Sequence, residues 1–201
     1  MITITKQISR LPVIILSSKR TGSTFLTYHI CELLKNDYNN LHEFIEPAES
    51  KESNQIQKLL EVIDNQENYV LKVHAYDLIT VYPPKIKNII DTHNCFLIRI
   101  RRRNTIDQIA SHYIASERNI WEYNKDTLYD NTVKKIDINR IKRSIRFIST
   151  YNRAIDNFPG SFDLDIYYED LTIIDGKSIK TPNPENYEEI WKMIELIKGS
   201  L

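Results

Sequence analysis

The sequence is short of glycine and cysteine, and it has no excess of charge of either sign. Its 201 residues include four glycines and two cysteines, and 27 Lys and Arg residues balance 27 Asp and Glu residues. A protein that coats nucleic acid or an anionic membrane surface normally carries a basic excess. The balanced charge therefore disfavours both of these partner classes.

Long apolar runs are also missing. No stretch approaches the roughly 18 apolar residues of a membrane helix, and the apolar run over residues 11–16 is shorter than the core of a signal peptide. Cys31 and Cys95 could form at most one disulfide, and a chain of this length can build a core without one. We therefore expect two buried free thiols in a soluble, cytoplasmic protein with no membrane partner.

Short apolar runs alternate with helical periodicities along the chain. With 41% hydrophobic residues, no linker and no internal repeat, the sequence predicts one domain over residues 1–201, of the α/β class with a mostly parallel sheet. Strands are predicted at residues 11–17, 69–73, 95–99 and 162–168, with a shorter one near 41–45 and a helix near 55–63. Helical spacing predicts four further helices, whose apolar sides are Leu26, Ile30, Leu33 and Leu34; Ile106, Ile109, Ala110, Tyr113 and Ile114; Ile141, Ile145, Ile148 and Ile155; and Ile190, Ile194 and Ile197.

The first predicted strand runs into a segment with the parts of a phosphate-binding loop. Residues 17–24 read S-S-K-R-T-G-S-T and lead directly into a helix, whose N-terminal N–H groups and dipole favour an anion. The segment differs from a Walker A loop because no glycine opens it and Ser23 stands where that motif has lysine. The alternative is an ordinary strand-to-helix turn with Ser or Thr as the N-cap. On the phosphate interpretation, the binding residues are Lys19, Arg20, Thr21, Gly22, Ser23 and Thr24.

A second basic segment lies where another strand gives way to a helix. Four arginines fall within residues 99–103, and Ser111 follows Arg103 by eight residues. Eight residues of helix turn about 80° past two full turns, so Arg103 and Ser111 can face one side. Ligands of open α/β sheets bind beyond the carboxyl ends of the strands, which places both segments on one rim. The alternative, a solvated basic helix start, is weakened because arginine at a helix N-terminus is unfavourable without an anion.

These two segments together resemble sulfotransferases that use 3′-phosphoadenylyl sulfate (PAPS). The first resembles the loop that binds the 5′-phosphosulfate, and residues 95–111 resemble the segment in which an arginine and a serine eight residues later bind the 3′-phosphate. Lys72-Val-His74 is similar to the family's K-T-H strand end, and residues 168–171 match its recurring Y-E-D-L. Residues 184–190 resemble the N-Y-E-E segment of bacterial carbohydrate sulfotransferases. The likeness covers residues 11–190 in order.

The resemblance implies a fold, a donor and a set of roles. It implies a P-loop-type three-layer αβα domain that moves a sulfuryl group from PAPS to a hydroxyl or amine, leaving adenosine 3′,5′-bisphosphate (PAP). Arg103 and Ser111 would hold the 3′-phosphate. His74 takes the place of the catalytic base, with Lys72 beside it, and Glu43 is the rival base because bacterial carbohydrate enzymes use a glutamate there. The expected acceptor is a small molecule or a carbohydrate.

Two other functions remain open. A P-loop small-molecule kinase would share the loop, but it needs a lysine that grips the phosphates and an acidic partner for magnesium. A non-catalytic nucleotide-binding protein would keep the loop without turnover. The five histidines lack the paired spacing of a zinc site, and the sulfuryl-transfer scheme needs no metal, so we expect none.

Overall fold

A computed structural model describes residues 8, 12–34, 42–45, 68–74, 94–119, 136–158, 160–171 and 186–200, with the backbone alone for 42–45. In chain order the elements are β1 (Val13–Ser17), α1 (Ser23–Leu34), β2 (His42–Ile45), β3 (Tyr69–His74), β4 (Phe96–Arg101), α2 (Thr105–Arg118), α3 (Ile138–Asp156), β5 (Leu164–Tyr167), α4 (Tyr168–Leu171) and α5 (Tyr187–Gly199).

The strands form one five-stranded sheet in the order β2-β3-β1-β4-β5. Every neighbouring pair is parallel, and the last residue of β1, Ser17, lies opposite His74 of β3 and Ile100 of β4. The chain leaves β1 towards β2 and β3, and it leaves β4 towards β5. The crossovers from these two adjacent strands therefore diverge, which makes the carboxyl edge between β1 and β4 the switch point where ligands of such sheets bind.

The strands at the centre of the sheet are mostly buried, whereas β5 at its edge is partly exposed. All five residues of β1 are buried, as expected for a central parallel strand. One core cluster packs Val13, Ile15 and Ile98 of the sheet against Leu26 and Ile30 of α1. A second cluster joins three helices, α2, α3 and α5, through Ile109, Tyr113, Ile141, Ile145, Ile190 and Ile194.

Side-chain caps fix where two of the helices begin. Asn104 caps α2, and its side chain accepts hydrogen bonds from the N–H groups of Ile106 and Asp107. Asp137 caps α3 in the same way. Because Asn104 directly follows the arginine cluster, the cap sets the point at which the chain turns from β4 into α2.

The structure confirms the α/β class, the parallel sheet and the predicted strands and helices that lie in the described ranges. Cys31 and Cys95 are buried free thiols, as expected. Two details were wrong: Leu33 is 40% exposed rather than core, and β5 ends at Tyr167, so that Tyr168 begins a helix. The helix expected near 55–63 lies outside the described residues. Within the described ranges, every helix is too short or too polar to serve as a membrane span.

The register of α1 can be tested with two truncations. Ile30 is fully buried and Leu33 is 40% exposed, although both follow the same apolar spacing. We expect Ile30→Ala to lower the free energy of unfolding by about 2–5 kcal/mol because it leaves a cavity, and Leu33→Ala to change it by less than about 1 kcal/mol. Urea denaturation measures both, and equal losses would contradict the register.

Candidate functional site

The loop between β1 and α1 is held in a tight, partly left-handed conformation. Arg20 and Gly22 have φ values of 63° and 74°. The buried Thr21 donates its hydroxyl to the carbonyl of Ser18 at 2.8 Å, and Leu26 N donates to Gly22 O at 3.0 Å. The first N–H groups of a helix have no acceptor within the helix, so the loop and the start of α1 present N–H donors at the carboxyl edge of the sheet.

Gly22 is required at its position for two reasons. A Cβ atom there would lie 2.6 Å from Cδ2 of Tyr168, closer than packed atoms approach, and the positive φ disfavours other residues. The ring of Tyr168 also lies 4.7 Å from the guanidinium carbon of Arg102. Tyr168 therefore packs between the first loop and the arginine cluster.

Arg20 links the two segments that the sequence singled out. Its Nε donates to the hydroxyl of Ser111 on α2 at 3.0 Å. Burial, then the nearby guanidinium of Arg102, lower the pKa of Arg20 to about 10, and Tyr168 opposes the shift. The side chain is still charged at neutral pH, but part of its hydration has been lost and a like charge lies close. An anion beside Arg20 would relieve both penalties.

A lysine from the neighbouring strand also reaches the loop. The buried Lys72 of β3 donates from Nζ to Thr24 Oγ1 at 2.9 Å. Lys19 of the loop places its Nζ over the rings of Phe147 and Tyr151 on α3, 5.2 and 5.6 Å from their centroids. Lys72 of β3 thus places an ammonium at the start of α1, where Ser23 stands at the position of the Walker A lysine.

His74 lies at the end of β3 beside these cations. Its Nδ1 is 3.2 Å from Ser17 Oγ, and Ser17 Oγ donates to the carbonyl of Val73 at 3.5 Å. Burial, then Lys72 and Lys19, lower the pKa of His74 to about 3. His74 is therefore neutral at physiological pH.

Three of the four arginines in the cluster form close ion pairs, and the fourth, Arg102, lies farther from a carboxylate. Arg103 is exposed and gives both terminal nitrogens to Asp170, at 2.9 and 2.8 Å. Arg99 and Arg101 share Asp165. Arg102 has its nearest described carboxylate oxygen, on Glu169, 3.9 Å from Nε. The structure thus pairs Ser111 with Arg20 and Arg103 with Asp170, so a phosphate bound by Arg103 would have to replace a carboxylate.

A cleft of about 650 Å³ opens between the carboxyl end of β4 and α3. This volume falls in the range of small-molecule sites. The cleft lies beside the arginine cluster and is lined by Ile155 and by polar side chains, namely Arg101, Arg102, Arg103, Thr105, Ser149, Asn152, Arg153, Asp156 and Tyr167.

Some expected residues are not brought together in the described part of the chain. Glu43 pairs with Val70 in the backbone ladder of β2 and β3, but its side chain lies outside the described residues. Among the residues that the structure describes, no three His, Cys, Asp or Glu side chains lie close enough to hold a metal ion.

Sequence reasoning missed two residues of the site, Gln108 and Arg102. Gln108 is fully buried and contacts the loop from α2. One signal could have marked it, since it is an amide on the otherwise apolar side of a helix. Arg102 could not be separated from its three neighbouring arginines without the direction in which each side chain points.

Comparisons with protein-family models, with curated proteins and with solved structures found no match. The family resemblance therefore stays a prediction, which depends on the sequence motifs alone.

His112 gives the site a testable pH dependence. It is buried, with Nδ1 3.0 Å from Ser144 Oγ and its ring stacked on Phe147. Burial, then Arg20 and Lys19, lower the pKa of His112 to about 4. The unfolded chain, with a pKa of about 6.5, binds the proton first as the pH falls. The contribution of His112 to stability is therefore complete above pH 6.5, and it decreases as the pH falls from 6.5 to 4.

We expect His112→Asn to reduce the decrease in unfolding free energy that accompanies acidification from pH 6.5 to 4. Between pH 6 and 5 the slope of the unfolding free energy should decrease by about 1.2 kcal/mol per pH unit relative to the unchanged protein. Urea denaturation at a series of pH values measures the two slopes. Parallel slopes would show that His112 is not kept neutral in the folded state.

Proposed function

We propose that this protein is a PAPS-dependent sulfotransferase that moves a sulfuryl group to a hydroxyl or amine of an acceptor. The observation that carries the proposal is a neutral His74 close to Lys72 and Lys19. These residues lie at the carboxyl edge of the sheet, where the loop that contains Arg20 leads into α1. A neutral base can accept a proton from the acceptor, and cations beside it can stabilise the negative charge that develops nearby. The P-loop-type three-layer arrangement is part of the same proposal.

The cations match the charge that such a reaction develops. In phosphoryl transfer the transition state is loose, and positioning and charge stabilisation dominate catalysis; we expect the same of sulfuryl transfer. The electron pair of the breaking bond goes to an oxygen of the 5′-phosphate. Arg20, Lys72 and the N–H groups of residues 21–24 would stabilise that oxygen as fixed donors.

The proton is assigned to His74. The acceptor oxygen forms a bond to sulfur as the bond from sulfur to the 5′-phosphate oxygen breaks, and the acceptor proton passes to the unprotonated ring nitrogen of His74. A pKa of about 3 is low for a general base. Because Lys72 and Lys19 contribute to that value, the negative charge of a bound donor would offset them and raise the pKa.

The second segment would bind the other end of the donor. The resemblance assigns the 3′-phosphate to Arg103 and Ser111, and Ser111 already contacts Arg20. The likeness to bacterial carbohydrate sulfotransferases supports a carbohydrate acceptor. The two free thiols support a cytoplasmic location, since reducing compartments preserve them.

Donor binding separates the proposed function from a kinase. We expect saturating PAP in the presence of a chelator to raise the melting temperature by about 5–10 °C. Stabilisation by ATP with magnesium, and none by PAP, would support a P-loop kinase instead. Binding of PAP with no sulfuryl transfer to a broad acceptor panel would support the non-catalytic alternative.

Single substitutions separate the chemical roles. At saturating PAPS we expect Arg20→Ala to lower turnover on the order of 10²–10³-fold, as does the loss of an oxyanion donor. His74→Ala should lower turnover about 10²–10⁴-fold while PAP still binds, because general base catalysis is worth that much. Glu43→Ala is the matched test of the rival base, with release of PAP as the readout. If neither His74→Ala nor Glu43→Ala slows turnover, both base assignments fail.

A further inference from the structure

A buried amide on α2 holds the main chain of the loop that carries Arg20. Gln108 is fully buried on the side of α2 that faces the loop and α3. Burying an amide without hydrogen-bond partners is unfavourable in proteins. A fully buried glutamine is therefore expected to have hydrogen-bond partners that hold its side chain, and the groups that it contacts, in one conformation.

The side chain of Gln108 connects three elements. Its Nε2 donates to the carbonyl of Lys19 at 2.7 Å and to the hydroxyl of Ser18 at 3.1 Å. Its Oε1 accepts a hydrogen bond from Nδ2 of Asn152 on α3 at 3.0 Å. The amide group thus has partners at both ends, and α3 orients it towards the loop.

The carbonyl that Gln108 binds is the one directly before the strained residue. Arg20 has φ 63°, a left-handed conformation that is unfavourable for a residue with a side chain. The bond from Nε2 to Lys19 O fixes the peptide plane that enters this turn. Such a conformation persists only where the surroundings hold it.

The guanidinium of Arg20 is held from the same helix. Ser111, which accepts the hydrogen bond from Arg20 Nε, follows Gln108 by three residues. Residues three apart lie on one side of a helix. One face of α2 therefore holds both the backbone before Arg20 and the side chain of Arg20.

We infer that Gln108, oriented by Asn152, is a positioning residue that holds Arg20 in its anion-binding conformation. The identity of the anion as the 5′-phosphate of the sulfuryl donor rests on the proposed function. The positioning role itself requires only that an anion binds beside Arg20.

The test is a double-mutant cycle on ligand affinity. Gln108→Met keeps the volume and removes both the donor and the acceptor. By calorimetry we expect Gln108→Met to raise the Kd for PAP about tenfold or more. In an Arg20→Ala background the same change should leave the Kd for PAP within about twofold, because a residue that acts through Arg20 loses its effect when Arg20 is absent. An unchanged Kd in the single variant, or the full tenfold effect in the Arg20→Ala background, would overturn the inference.

Tyr113→Phe is the matched control. Tyr113 is also fully buried on α2, and its hydroxyl accepts a hydrogen bond from Asp137 N at 3.0 Å, at the start of α3. Tyr113→Phe removes a buried hydrogen bond from the same helix but leaves the loop contacts in place. We expect it to lower the melting temperature and to keep the Kd for PAP within about twofold. An equal loss of affinity in Tyr113→Phe would show that general destabilisation explains the result.

Inorganic pyrophosphate separates failure of this inference from failure of the proposed function. If the unchanged protein binds pyrophosphate but not PAP, the sulfotransferase proposal fails and the cycle is run with pyrophosphate. Binding of neither ligand overturns both. If Gln108→Met does not fold, Asn152→Ala replaces it in the cycle. Asn152 acts through Gln108, so we expect a smaller rise in Kd, about threefold, and no rise overturns the inference.

Discussion

The candidate site depends on holding the guanidinium of Arg20 in a partly buried position close to a second cation. Burial and Arg102 both disfavour its charge, and the backbone at Arg20 is left-handed. Two residues of α2 contact this arrangement: Gln108 donates to the carbonyl before Arg20, and Ser111 accepts from the guanidinium of Arg20. A bound anion would lower the electrostatic cost.

The order of the strands brings the remaining groups to the same place. Because β1 lies between β3 and β4, the loop after β1 is flanked by the end of β3, with Lys72 and His74, and by the turn after β4. Lys72 reaches Thr24 at the start of α1. The chain therefore surrounds the loop with cations although Ser23 stands where a Walker A motif has its lysine. Burial, together with Lys72 and Lys19, lowers the pKa of His74 and keeps it neutral.

Much of the fold could be predicted from the sequence because local periodicity determines it. The apolar run of β1 and the helical spacing along α3 identify those elements without long-range information. Periodicity alone could not exclude Leu33 from the core, because its exposure depends on whether neighbouring parts of the fold extend far enough to cover it. It also could not show that Arg103 pairs with Asp170, or that Gln108 reaches Lys19, since these contacts join residues far apart in the chain. Hence the position of the loop between β1 and α1 could be predicted, while the long-range contacts around it could not.

The most direct test of the account is a crystal structure of the protein with PAP. We expect the 5′-phosphate to lie against the N–H groups of residues 21–24 and the guanidinium of Arg20, with the backbone at Arg20 still left-handed and Gln108 still bonded to Lys19 O. A phosphate bound elsewhere, for example in the cleft beside Arg153, with the loop unoccupied, would contradict the central claim.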